Sequence, residues 1–226
     1  LMPLVRTSFA ESDSTYGAVR VVRDLREWGE HCGKRRRHPQ DQGLRPEHSI
    51  APNVLNRHFE AQGPNKKWVA DFTYLWTDEG WLYVAVVLDL YSRKVVGWSM
   101  NENMIAQLVA AALMMAIWRR GKPIELLHHS DQGSQYTSED FQRLLADQGI
   151  TCSMSRKGDC WDNAAMESYF STMKTERTAR RSYVTQDEVR ADVFDYIERF
   201  YNPRRRHSTL GQVSPDQFEK ARECLG

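Results

Sequence analysis

Cysteine is scarce in this chain. Four thiols among 226 residues, Cys32, Cys152, Cys160 and Cys224, form no C-x-x-C pair and have no histidine pair at zinc-like spacing nearby. That spacing argues against a disulfide framework and a structural zinc, and the thiols read as free, as in a reducing compartment. No run of about 18 apolar residues occurs, so no membrane-spanning helix is expected. The opening LMPLVRTSFAES lacks a basic segment followed by an apolar stretch and a small-residue cleavage site, and is not expected to act as a secretory signal. Charge of one sign is also missing. Thirty-one Lys and Arg stand against 30 Asp and Glu, a net charge of +1, so only local patches can argue for a polyanionic ligand. There is no repeat and no low-complexity tract. A core of roughly 130–150 residues buries about two-thirds of its unfolded surface, which is enough to fold without staples.

What is present divides unevenly. Residues 1–50 hold one short amphipathic helix within Tyr16–Trp28, with Val21, Val22, Leu25 and Trp28 on one stripe. A basic, proline-containing stretch follows, Gly33–His48, which has no helical or strand period and reads as exposed. From Trp68 the pattern turns strand-like. WVADFTYLW (68–76), the apolar run Trp81–Leu90 and KVVGWSM (94–100) are joined by short turns, as in an antiparallel meander. Helices are expected at 103–120, from a Thr137 or Ser138 cap to 148, from an Asp162 or Asn163 cap to about 178, and at 186–201. Short strands are expected at 125–129 and 150–155, and the tail NPRRRHSTLGQVSPDQF reads as turn-rich and basic. The order β-β-β-α-β-α-β-α-α describes an α/β domain, a mixed five-stranded sheet with helices on both faces. Ribonuclease-H-like folds have this order, but so could other α/β domains. The expected divisions are 1–50, a core over 51–180, and a C-terminal helix and basic tail over 181–226.

Three carboxylates sit where acids are costly. Asp71 interrupts the apolar first strand, Asp131 ends the fourth, and Glu167 lies in a helical turn built from Ala164, Ala165, Met166, Tyr169 and Phe170. A buried carboxylate must be paired, protonated or bound to a cation. Each alone reads as a structural acid, a turn residue or a solvated helix face. If the first and fourth strands are neighbours and the helix packs over their ends, all three can converge. Hard divalent cations with oxygen ligands would then relieve their repulsion. Two ions about 3.5–4 Å apart suit in-line displacement at a phosphodiester.

The spacing and flanking strings carry a family resemblance. Asp131 lies 60 positions after Asp71, and 35 residues separate it from Glu167; the strings are WVADFTYL, VVLDLYSRKVVGW, HHSDQGSQYTS and SMSRKGDCWDNAAMESYFSTMKTE. Over about Ile50 to Phe218 the chain resembles the retroviral-integrase-like DDE transposases, in particular the second-frame (OrfB) transposases of bacterial insertion sequences of the insertion-sequence-three group. The resemblance implies a ribonuclease-H-like integrase catalytic core, Mg²⁺ or Mn²⁺ as cofactor, and Asp71, Asp131 and Glu167 as catalytic metal ligands. It implies strand cleavage and strand transfer on DNA, with terminal inverted repeats and target DNA as partners. It also implies a first-frame (OrfA) protein or fusion, a homo-oligomeric synaptic complex, no membrane, and a cytoplasmic, nucleoid-associated location in a bacterium. A nuclease that only hydrolyses, or an inactive DNA-binding remnant, remains open on the residues alone.

Within the resemblance, Asn163 and Lys174 share the Glu167 helix stripe and are expected to meet DNA, Lys174 by neutralising a phosphate. Trp161 either stacks on a base or plugs the core. Arg204, Arg205 and Arg206 are expected at the DNA backbone. His129 shares a strand side with Asp131 and reads more simply as a hydrogen-bonded partner than as a ligand. Residues 1–50 depart from the family's helical DNA-binding region, since GKRRRHPQDQGLR has no apolar period. A degenerate or truncated region there would leave the chemistry intact and impair recognition of DNA ends.

Overall fold

The computed structural model describes residues 2–12, 18–29, 50–157, 159–179 and 181–223. The basic stretch Gly33–His48 lies outside them. Contacts divide the chain into two units, Leu1–Gln40 and Asp41–Gly226. The first contains α1 (Met2–Glu11) and α2 (Ala18–Glu27), with Val21 and Leu25 buried. Ser8 Oγ donates across the pair to Asp24 Oδ2 at 2.7 Å.

The second unit is built on one sheet. Its strands are β1 (Lys67–Thr77), β2 (Gly80–Asp89), β3 (Val95–Asn101), β4 (Leu127–Ser130) and β5 (Thr151–Met154), in the spatial order β3-β2-β1-β4-β5. The first three form the expected antiparallel meander, while β4 pairs parallel with both β1 and β5. Strands 1 and 2 read as nearly continuous apolar runs because both faces are covered. On one face Val69, Leu75, Val84, Val86 and Leu88 pack with α5 (Ala164–Met173) and α6 (Gln186–Asp195). On the other Trp68, Ala70, Ala85 and Val87 pack with α3 (Ala106–Arg120) and α4 (Glu139–Asp147). This is a ribonuclease-H-like α/β architecture.

Both α5 and α6 run on as single π-helical segments, Lys174–Thr178 and Tyr196–Tyr201. The described residues after 180 belong to the same packed unit, with Tyr183, Val193, Tyr196 and Tyr201 buried in the α5 core. A last helix, α7 (Pro215–Glu223), lies in the stretch expected to be turns. Ser214 and Gln217 form a reciprocal capping box, in which Gln217 N donates to Ser214 Oγ (3.3 Å) and Ser214 N to Gln217 Oε1 (3.2 Å). Proline at its first position is compatible with a helix start. Glu219 then ties α7 to the sheet, accepting from Ser92 Oγ (2.7 Å) and from both terminal nitrogens of Arg120 (2.6 and 2.9 Å).

Strand β3 is pressed against α3. A Cβ on Gly97 would stand 2.2 Å from the Ala112 carbonyl oxygen and 2.7 Å from the Ala116 nitrogen. Both are backbone atoms of a packed helix and cannot swing aside. Gly97→Ala is therefore expected to destabilise the unit by about 3 kcal/mol, the upper range for overpacking, measured as a drop in urea midpoint with unchanged m-value.

Candidate active site

The parallel pairing of β1 with β4 positions two of the acids. The last paired residues are Val69 and His129. Two residues further along each strand stand Asp71 and Asp131, so the register that pairs the strands also sets these acids level. By alternation both share a sheet side with Val69 and Leu127, the side covered by α5. That helix packs on β1 and supplies Glu167 from its first turn. The three acids line one cleft of about 350 Å³ together with Gln132, Gly133, Ser155, Arg156, Lys157, Asp159 and Asn163. The cleft lies at the carboxyl end of β4, against the middle of β1, where the parallel pairing of the two strands stops.

The electrostatics are those of crowded acids. Burial, then the charges of Asp131 and Glu167, push the Asp71 carboxyl up to about 8, against the Phe72 N–H and the Lys174 ammonium, which pull it down. Asp71 Oδ1 accepts the Phe72 N–H at 2.7 Å. Asp131 Oδ1 accepts from Gly133 N at 2.9 Å, and a Cβ on Gly133 would stand only 2.9 Å from that same oxygen. Glu167 is exposed and Lys174 half-buried, with Lys174 Nζ 5.5 Å from the centroid of the Tyr74 ring. Burial lowers Lys174 while Asp71 raises it. Among the described residues no three His, Cys, Asp or Glu side chains are grouped closely enough to form a ready metal cage.

Asn163 is buried at the start of α5. Its Nδ2 donates to the Ala70 carbonyl at 3.4 Å, joining helix to β1, and its Oδ1 has no partner. Trp161 is 69% exposed, so it does not plug the core, and it stands outside the cleft lining. Arg204, Arg205 and Arg206 do not line this cleft either. His129 is buried, with Nδ1 2.8 Å from Ser153 Oγ and Nε2 3.2 Å from Ser155 Oγ, and burial lowers it to about 4. It is a neutral, hydrogen-bonded strut.

Sequence reasoning passed over the residues that hold the loop before α5. Asp162 is fully buried and accepts from Arg156 N and Nε (2.9 Å each), Arg156 Nη2 (2.8 Å), Asn53 Nδ2 (2.8 Å) and Arg57 Nε (3.0 Å). Arg57 also pairs with Asp159. The SRKGD string thus supplies both the brace and, through Lys157, an exposed cation on the cleft rim. The signal was a cluster of opposite charges within seven residues of Arg156.

Comparisons with known proteins bear on the family and the fold. A family model described as "Integrase core domain" matches residues 61–160, and a second with the same description matches 148–215. The chain is 44% identical over 232 residues to "Transposase InsF for insertion sequence IS3A" of Escherichia coli (strain K12), covering 96% of this chain and 81% of that protein. It is 40% identical over 216 residues to "Insertion element IS600 uncharacterized 31 kDa protein" of Shigella sonnei, covering 96% and 79%. Among solved structures, the HTLV-2 integrase catalytic core domain in complex with magnesium superposes with a TM-score of 0.54 at 18% identity, covering 70% of this chain and 99% of that one.

The Asp162 brace makes a prediction about pH. Hydrogen bonds from Arg156 hold its carboxyl well below the ordinary 3.8, aided by Arg57 and opposed by burial. Its contribution is complete above that ordinary value and is lost as pH falls through the lower folded value. Asp162→Asn is expected to cost about 2 kcal/mol at pH 7, since both arginines are half exposed and screened. The difference in melting temperature from the native chain should narrow as the pH is taken below 3.8.

Proposed function

The chain belongs to the IS3-type DDE transposases, and on that premise we propose that Asp71, Asp131 and Glu167 are the carboxylates that hold divalent cations against the DNA strand being cut. It is an enzyme of DNA transposition, a polynucleotidyl transferase on an integrase-type core. What carries the residue assignment is one observation: Asp71 and Asp131 stand on one cleft with Glu167, and burial, reinforced by the charges of Asp131 and Glu167, raises the Asp71 carboxyl to about 8.

The donor set fits Mg²⁺ or Mn²⁺. Four carboxylates line the cleft, of which Asp159 is paired with Arg57, and there is no thiol or imidazole among the lining residues. Divalent ions, two in this reading, supply activation of the attacking oxygen and stabilisation of the leaving one. Two of these acids are placed by strands, Asp71 within β1 and Asp131 just past β4, and the third, Glu167, by the first turn of α5. Water attacks a phosphodiester at the element's end and frees a 3′-hydroxyl; that hydroxyl then attacks a second phosphodiester and joins the strands. Lys174 and Lys157 bring positive charge to the phosphates beside the cleft, where such contacts fix register rather than sequence. Asn163 holds α5 to β1, and Trp161 offers an exposed ring to an unpaired base. Arg204 and Arg206 serve the flanking backbone, while Arg205, paired with Glu176, fixes the segment that carries them. The reading includes terminal inverted repeats and target DNA as substrates and a homo-oligomer that brings two ends together. It further includes a first-frame protein or fusion as partner, and work at the bacterial nucleoid.

The test is cleavage and joining of an oligonucleotide carrying the element's own end, with Mg²⁺. Asp71→Asn, Asp131→Asn and Glu167→Gln should each lose at least about 10³-fold in both steps, on the order of 4 kcal/mol in barrier. In metal-free buffer Asp71→Asn should melt roughly 2–4 °C higher than the native chain, as expected for relieving about 1 kcal/mol of repulsion. Mg²⁺ should stabilise the native chain and leave that variant unmoved. Undiminished joining by Asp71→Asn refutes the assignment.

A further inference from the structure

Helix α5 has a second polar side. Glu167 and Asn163 face the carboxylate cleft, while Ser168 and Thr172 face a separate cavity of about 510 Å³ on the other flank of the helix. Its lining includes Arg93 from the β2–β3 turn and Arg206, Ser208 and Thr209 from the segment after Tyr201. No Asp or Glu lines it.

Arg93 is the unusual member. It is half-buried, and among the described residues its guanidinium has no recorded hydrogen bond or ion pair; only its backbone carbonyl is used, accepting from Tyr201 Oη at 3.0 Å. Burial lowers its pKa and only Tyr201 pushes the other way. The nearby carboxylate is already occupied: Glu176 accepts from Arg205 Nε and Nη2 at 2.9 Å and from Tyr196 Oη at 2.8 Å. His207, wedged against Tyr201 and beside Arg205, is held down to about 4 and is neutral at pH 7. The unmatched charge is therefore that of Arg93 and Arg206. The Arg93 backbone also sits at φ +59°, a left-handed conformation in a tight turn where glycine or asparagine is cheaper. An arginine kept in a strained turn, desolvated and without a counter-charge, is placed for an anion that arrives from outside.

We propose that this cavity is a phosphate-binding pocket, in which Arg93 and Arg206 clamp a backbone phosphate of the DNA strand that runs over α5 from the carboxylate cleft, with the hydroxyls of Ser168, Thr172 and Thr209 as additional donors. The proposal rests on the transposase reading above and adds a second anchoring point to it. A helix is about 10 Å across and successive phosphates of one strand rise about 3.4 Å, so the pocket serves a phosphate on the order of three nucleotides from the one being cut. Two anchored phosphates on opposite flanks of one helix set the strand's register, which a single basic contact cannot do. Arg205 in this arrangement is a positioning residue: it is spent on Glu176 and fixes the segment that carries Arg206.

The test uses the full chain, a duplex oligonucleotide and a salt titration of binding, comparing the native chain with Arg93→Asn and Asp71→Asn. Asparagine accepts the left-handed turn, so Arg93→Asn should melt at or above the native temperature. It should nevertheless bind DNA about 5–10-fold more weakly, with a log–log salt slope shallower by about one phosphate contact. The Arg93 substitution should lower affinity and slope by the same amounts in an Asp71→Asn background, because the two sites are separate. A single neutral methylphosphonate, moved along the strand, should weaken the native chain at one position and make no difference there to Arg93→Asn. Equal affinity and slope for Arg93→Asn and the native chain would overturn the pocket and leave the transposase reading standing. No salt-dependent DNA binding by the native chain overturns both. Stabilisation by inorganic phosphate that vanishes in Arg93→Asn, with an unchanged DNA slope, assigns the pocket to free phosphate and overturns the DNA assignment.

Discussion

Two carboxylates cannot be brought together in a protein interior unless something rigid holds them there, because in a low dielectric their repulsion exceeds what a flexible loop resists. Here the rigid element is the parallel ladder between β1 and β4. Three residue pairs fix the register, and two residues beyond it Asp71 and Asp131 emerge level on the same sheet side. A one-residue slip would turn Asp131 to the opposite face, into the packing of α3 and α4. The strand pairing, the two apolar layers that sandwich it and the proximity of the acids are one constraint seen at three scales. Burial first, and the neighbouring Asp131 charge second, raise the carboxyl of Asp71 to about 8.

The third acid is held differently. Glu167 sits in the first turn of α5, exposed, and the helix is held both at its base and along its inner side. Asn163 pins it to β1 through the Ala70 carbonyl, and the preceding turn is clamped by Asp162 between Arg156 and Arg57. Met166, Tyr169, Phe170 and Met173 bury the opposite side in the core. The helix therefore has a fixed inner face and a free acidic edge, so Glu167 can adjust toward whatever charge enters the cleft while the strand acids stay still. The π-helical segment that begins at Lys174 re-aims the side chains after the catalytic turn, a device frequent where helices carry function.

Most of the sheet and both covering layers were legible in the sequence, since apolar runs and helical stripes report burial directly. The carboxylate cleft was legible only in part. Asp89 looks at least as suspicious as Asp71 by its neighbours, lying at the end of an apolar strand, and it is in fact more buried. Its oxygens, however, accept from Asn65 N (2.7 Å), Tyr91 N (3.0 Å) and Arg120 Nη2 (3.3 Å), so it is a satisfied structural acid. No composition argument separates the two, because the partners of Asp89 come from elsewhere in the chain. Helix α7 was missed for the opposite reason. Pro203, Gly211 and Pro215 gave the tail a turn-like look, although Ser214 and Gln217 carried a capping signal. The Asp162 brace was legible only in its local half, the nearby Arg156, because its other donors Arg57 and Asn53 lie about a hundred residues away and are recruited by folding alone.

A net charge of +1 is a poor guide to a DNA enzyme, and the ion pairs explain why. Acids and bases are consumed against one another in structural networks. Arg120 meets Asp89 and Glu219, Arg177 meets Asp192 and Asp195, and Arg205 meets Glu176. Such pairs cancel in the sum and contribute little field at a distance. What a polyanion meets is the remainder, and around α5 the remainder is positive: Lys157 on the rim of the cleft, Lys174 half-buried beside it, and Arg93 and Arg206 on the far flank. Between them lies the acidic cleft that Asp71, Asp131 and Glu167 line. A strand drawn along the basic residues must pass over that acidic point, where it is repelled until cations lie between. Electrostatic segregation, rather than total charge, is what a polyanionic backbone meets around α5.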